Sequence, residues 1–338
     1  MLLKFADQDP KIVHQIIRTI LLLARIAEKR GSIEISRQKC RNVLRVAEFY
    51  FGEATDFHVQ ALDLLISLYK SVSDMKEAQS ISDTFSADVR VARRAEFKNL
   101  LATNEIPCTR AGRAFIDSVA KQYTPLYGPW YRAKALELIR SLRGYERDGY
   151  TSSPRWLPVM AMLGDLSLVQ MCLGHASVQY GYKNTALLEA VVGSQYTVVR
   201  SLLQHDADPN TWWPDEFVQY KKRWEWSKTI KYSLLTISTE RKDWIITRLL
   251  LNAGADPTKA YKDCISALGI ALSSRVSDLV NILFEDETAL KFSILIAINV
   301  GYTSSEIRSL ISRGADVNYR YYEHYPLDRA LGKRRSNS

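Results

Sequence analysis

Apolar positions recur at intervals of three and four along most of the chain and never alternate in steps of two for long. Such spacing lays one face of a helix against a core, whereas sustained alternation would signal strands. The pattern falls into short runs. Thr19–Ser36 and Ala61–Ala78 come first, then Ala87–Leu101, Thr109–Lys121 and Tyr131–Arg147, then compact leucine-rich phrases after Ser152. Two prolines and a glycine between Lys121 and Trp130 predict a loop over Tyr123–Pro129 inside a helical stretch. The expectation is an all-α chain.

The later phrases rhyme with one another. Val198–Asn210, Ile245–Thr258, Ile307–Asn318 and, more weakly, Leu168–Gln179 each carry an apolar helical stripe, and the first three then reach Ala-Asp or Gly-Ala-Asp. Upstream of them recurs a second phrase, at Thr185–Ala190, Ser233–Ser238, Ser266–Ala271 and Tyr325–Ala330. From Ser233 to Ser266 is 33 residues. A Thr or Ser ahead of the first apolar residue can cap a short helix, and Gly254 or Gly314 suits the left-handed residue that ends one. Asp208, Asp256 and Asp316 fit a turn into the next unit, with the stacking of units supplying the core. These residues resemble ankyrin repeats over about Ser152–Leu331, and the resemblance implies about five to six degenerate repeats within 152–338. The unit after Ser266 departs from the pattern, ending in Phe284-Glu-Asp-Glu without a Gly-Ala-Asp exit.

Thr185 to Ser233 is longer than one repeat needs, and the excess is an insertion at 211–228 that holds four of the seven tryptophans. Pro214 and Asp215 read as a helix start that would place Phe217, Tyr220 and Trp224 on one face.

The first half carries a different repeat. Ala61–Ala78 reads as two helices around a polar turn, and Thr19–Ser36 is a weaker copy 42 residues earlier, with Leu23 against Leu65 and Ser36 against Ala78. This resembles tetratricopeptide repeats of the kinesin-light-chain type. The organisation expected is tetratricopeptide-like hairpins over 1–100, a helical connector over 101–151 and the ankyrin-like array from 152 onward.

Composition narrows the function classes. The formal charge of +9 permits contact with nucleic acid or an anionic surface without demanding it. The basic residues are scattered, and Arg90, Arg93 and Arg94, Lys221–Arg223 and Lys333–Arg335 read as solvated faces. Four separated cysteines with no CxxC pair suit a reducing compartment, and no stretch is apolar and long enough to span a bilayer, so an intracellular protein is expected, cytoplasmic with the nucleus as the alternative. No phosphate-binding glycine loop, nucleophile elbow or HExxH occurs, and no enzyme activity, cofactor or metal is expected. Cys172 and His175 lack the second close pair that a structural zinc requires. Glu285, Asp286 and Glu287 read as a solvated loop.

Aromatic and basic clusters on turns stand apart, because Tyr, Trp and Arg are what interface anchors are made of. Two exist: Trp212, Trp213, Tyr220, Lys221, Arg223, Trp224 and Trp226 in the insertion, and Tyr319, Arg320, Tyr321, Tyr322 and His324 near the carboxy terminus. Each could equally fold back on the neighbouring unit. The two resemblances imply a scaffold or adaptor that binds another protein, with nucleic-acid or anionic-surface binding as the second reading.

Overall fold

A computed structural model of the chain describes residues 10–51, 56–72, 74–84, 87–103, 109–127, 156–174, 180–213, 232–259, 266–275 and 277–319, with isolated positions elsewhere. The fold is all-α. Strand among the described residues is confined to two dipeptides, β1 (Trp212–Trp213) and β2 (Tyr232–Ser233). Two compact units divide the chain, Met1–Ala207 and Asp208–Ser338.

The first unit opens with antiparallel pairs: α1 (Pro10–Lys29) with α2 (Ile33–Phe51), and α3 (Asp56–Ser71) with α4 (Met75–Thr84). Val13, Ile16, Ile17, Leu21, Ala24 and Ala27 form the buried stripe of α1, spaced as a helix requires. Ala24 lets α2 approach so closely that the Ser36 hydroxyl donates to its carbonyl at 2.8 Å. Burial corrects the repeat register. Leu65 is fully buried while Leu23 is 42% exposed. Val13 instead matches Phe57, Ile17 matches Ala61, Leu21 matches Leu65 and Ala24 matches Leu68, an offset of 44 residues. That shift concerns the first helix of each pair; Ser36 and Ala78, matched at 42, are both buried.

Next come α5 (Ala87–Ala102) and α6 (Arg110–Tyr127). Helix α6 continues through Pro125 to Tyr127, so most of the loop expected over Tyr123–Pro129 is helical. The later helices of the unit form two tighter hairpins, α7 (Trp156–Leu163) with α8 (Leu166–Leu173), and α9 (Tyr180–Gly193) with α10 (Tyr196–Gln204). All eight residues of α7 are buried. Phe97 of α5 stacks on Phe115 of α6 with centroids 5.4 Å apart, and Trp156 of α7 meets both rings edge-on at 5.1 and 6.0 Å. This aromatic cluster closes the end of α7, so the middle helices and the first tight hairpin share one core.

In the second unit β1 pairs antiparallel with β2, Trp212 opposite Ser233 and Trp213 opposite Tyr232. Three hairpins follow: α11 (Leu234–Glu240) with α12 (Trp244–Asn252), α13 (Ala267–Ser273) with α14 (Ser277–Leu283), and α15 (Glu287–Asn299) with α16 (Ser304–Ser312). First helices pack on first helices, α11 against α13 and α13 against α15, and α12 packs on α14. Side chains cap most of these short helices. Ser233 and Ser266 each accept an amide at 3.1 Å, as their place in the sequence phrase predicts. Asp286, expected in a solvated loop, caps α15 by accepting the amide of Ala289 at 2.8 Å, and Glu285 pairs with Arg248 at 3.1 Å. That acidic run is the direct entry to a new hairpin, which is why no Gly-Ala-Asp exit precedes it.

One exit turn occurs three times. Ala207, Ala255 and Ala315 are buried and donate their amides to Leu202, Leu250 and Leu310 at 3.1, 2.9 and 3.1 Å. The residue before each alanine lies in the left-handed region, with φ 63° at Asp206, 88° at Gly254 and 100° at Gly314. The aspartate after each alanine accepts the amide two positions on, at 2.8 Å in all three cases (Asn210, Thr258, Asn318). Asn210 also spans to the next turn. Its amide donates to the Gly254 carbonyl and its oxygen accepts the Asp256 amide, both at 3.0 Å.

Candidate functional site

The aromatic residues singled out in the sequence divide into those the structure places and those it does not. Trp212 and Trp213 form β1, at the base of the insertion. The strand is anchored from both sides. Thr211 donates its hydroxyl to the Asp208 carbonyl at 2.8 Å and accepts the Leu234 amide at 3.3 Å. Trp212 is half-buried with the Lys259 ammonium 5.4 Å from its ring centroid, a cation–π distance. Tyr319 is also half-buried, its ring edge-on to Phe292 of α15 at 5.8 Å. That contact ties Tyr319 to its own unit. Tyr220, Lys221, Arg223, Trp224 and Trp226, and Arg320, Tyr321, Tyr322 and His324, lie outside the described residues. So does the helix start at Pro214 and Asp215.

A second cluster, in the first unit, was not anticipated. Arg93, expected on a solvated face, is 5% exposed and bonds Asp165 at 2.8 Å. The same guanidinium donates to the Tyr123 hydroxyl at 2.9 Å, and Tyr123 donates to Asp165 at 3.3 Å. Asp165 also caps α8 by accepting the Leu168 amide at 3.2 Å. Burial works against the charge on Arg93, but Tyr123 and Asp165 outweigh it and hold the guanidinium protonated. Arg94, one residue on, is exposed as expected. The helical turn carrying both arginines points one of them inward, and nothing in the local sequence distinguishes which.

Glu48 of α2 lies beside this cluster, half-buried. Burial pushes its carboxyl up to about 7; Asp165 reinforces the shift while Arg90 and Arg45 oppose it. Nearby, Arg200 of α10 stacks 3.8 Å over the Phe49 ring and donates to the Phe49 carbonyl at 3.4 Å. Side chains of Arg93 on α5, Tyr123 on α6, Asp165 at the start of α8 and Arg200 on α10 thus bond across the helices of this unit. The raised carboxyl has a measurable consequence. Its folded pKa exceeds the unfolded value, so its favourable contribution is full below about 4.5 and is lost as pH rises through about 7. Glu48→Gln should therefore match the wild type at pH 4 and exceed it at pH 8 by up to about 3 kcal/mol, as urea melts at the two values would read. Equal stability at both would show that water reaches the carboxyl freely.

Cys40 and Cys172 are buried free thiols. Burial, with Glu28 nearby, pushes Cys40 up to about 12, and burial alone pushes Cys172 further. Neither has the character of a thiolate ligand or nucleophile. His175, the other half of the C-x-x-H, lies outside the described residues. Among the described residues no group of three or more His, Cys, Asp or Glu is placed to hold a metal ion. No described helix is long and apolar enough to cross a membrane.

No family model matches the chain, and no curated protein matches it. Among solved structures, it is similar to a chain in the complex of a predatory endopeptidase with an immunity protein from Bdellovibrio bacteriovorus. Identity is 17%, the TM-score is 0.31, and the match covers 53% of this chain and 92% of that one. A likeness that loose supports no functional statement.

Proposed function

We propose that the chain is a protein-interaction scaffold, with ankyrin repeats from residue 152 onward and tetratricopeptide-like hairpins before residue 100. The observation that carries this reading is the exit turn, repeated three times with the same buried alanine, left-handed residue and aspartate bond. Repeats that bury their apolar faces on one another leave a row of turns free to meet a partner. Trp212, Trp213, Tyr220, Trp224 and Trp226, with Lys221 and Arg223, would form one contact group on that edge, and Tyr319, Arg320, Tyr321, Tyr322 and His324 a second. The absence of disulfide spacing and the two buried free thiols fit work inside the cell.

The test is affinity capture from the native cell with quantitative read-out, using the full chain and a Trp213→Ala/Tyr322→Ala variant. A protein partner should be retained by the wild type, survive nuclease treatment, and bind the variant at least tenfold more weakly at nearly unchanged melting temperature. Capture abolished by nuclease, with affinity falling steeply as salt rises, would move the assignment to nucleic acid. Full affinity in a stably folded double variant would end the proposed contact edge.

A further inference from the structure

Helix α1 has a second face, and its apolar residues lie open to solvent. Opposite the buried stripe, Leu22, Leu23 and Ile26 are 58%, 42% and 46% exposed. Arg18, Arg25 and Lys29 flank this strip and are exposed as well. A helix of 3.6 residues per turn puts Leu22 and Ile26 in one row, with Arg18, Arg25 and Lys29 along one side of it. Acid is missing from the face. The one carboxylate of α1, Glu28, is half-buried on the side of α2, near Cys40. Four cations elsewhere in the unit have acids of their own: Arg37 and Arg41 bond Glu34, Arg93 bonds Asp165, and Lys121 bonds Asp117. Arg25 and Lys29 have none among the described residues, and Arg18 has only the Phe57 ring at 5.9 Å.

We propose that this face of α1 docks an acidic amphipathic helix of a partner protein, its leucine-type residues on Leu22, Leu23 and Ile26 and its carboxylates on Arg18, Arg25 and Lys29. The inference rests on the scaffold reading and gives the chemistry of one partner at a surface separate from the aromatic edge. Charge complementarity selects the occupant. A second copy of the chain would bring the same cations against one another, and like charges at close range are repelled. The strip is also short. Leu22 to Ile26 spans roughly 6 Å along the axis at about 1.5 Å per residue, which suits the i, i+3, i+4 anchors of one crossing helix. A helix lying in a lipid surface displays apolar residues along its length, whereas α1 shows the exposed polar residues His14 and Gln15 about two turns before Leu22.

The experiment is fluorescence anisotropy of the full chain with a labelled helical peptide bearing leucines at i, i+3, i+4 and i+7 and glutamates beside them. Its controls are a scrambled peptide, a lysine-for-glutamate peptide and vesicles containing about a third anionic lipid. The acidic peptide should bind and the lysine peptide should not. Leu22→Ser/Ile26→Ser and Arg25→Glu/Lys29→Glu should each weaken it at least tenfold without shifting the melting temperature, because all four side chains are exposed. Equal binding by the scrambled peptide, full affinity in both variants, or binding to vesicles and not to peptide would overturn the proposal. Native-cell capture through the aromatic edge would leave the scaffold reading standing in each case, so the two failures are told apart.

Discussion

Replacing Asp165 with alanine should destabilise the protein by about 3–5 kcal/mol, through a charge stranded out of water. The carboxylate has three partners: the Arg93 guanidinium at 2.8 Å, the Tyr123 hydroxyl at 3.3 Å and the Leu168 amide at 3.2 Å. Removing it leaves Arg93, 5% exposed, with a full positive charge and without the carboxylate that met it at 2.8 Å. It also uncaps α8, a loss of about 1 kcal/mol in typical helices. Asp165→Asn separates the two effects, since an amide oxygen still caps the helix but no longer neutralises the guanidinium. Arg93→Met combined with Asp165→Asn should recover much of the loss, because an apolar side chain tolerates this burial and a lone ion does not. Urea denaturation at pH 7 reads all four proteins. A loss below about 1 kcal/mol for Asp165→Ala would mean that the seam is solvated.

Leu250→Ala is the second large effect, about 2–5 kcal/mol from lost transfer energy and the cavity left behind. Leu250 is fully buried, while Leu249 and Leu251 on either side are half-buried. Its carbonyl accepts the amides of Ala253 at 3.2 Å and Ala255 at 2.9 Å, so the side chain packs just where the exit turn is tied to the helix. Leu251→Ala should cost less than half as much, which makes the pair a test of register as well as of burial. A melting temperature for Leu250→Ala equal to the wild type would place the stripe on the wrong face.

These two residues also mark what the sequence could disclose. Leu250 was legible, because the leucine stripe, the glycine after it and the Ala-Asp exit lie within a dozen residues and each constrains the next. The serine caps at Ser233 and Ser266 were legible for the same reason. Asp165 and Arg93 were not, since they are 72 residues apart and their partnership depends on how α5 meets the start of α8. A run of arginines is ordinarily a wet face, and only the fold decides that the middle one turns inward. The match of Leu23 to Leu65 failed likewise, because residue type was compared without knowing which side of α1 faces α2 and α3, whereas Ser36 and Ala78 are both buried. Of the aromatic groups, the sequence located the insertion, and the structure describes its root at Trp212 and Trp213 and the start of the other at Tyr319.

The link made by Asn210 bears on how the second unit opens and closes in solution. The amide proton of Asp256 sits in an exposed loop, yet it is bonded to a side chain 46 residues earlier in the chain. Its exchange with deuterium should be slow for a loop, and the slowness comes from the turn that carries Asn210. The amide of Ala255, one residue back, is bonded instead to Leu250 within its own hairpin. Two adjacent protons thus report on different events: the Ala255 amide on the melting of α12, the Asp256 amide on the parting of two neighbouring turns. Wherever the second exchanges faster than the first, the turns separate before α12 unfolds, and Asn210→Ala should produce that pattern outright.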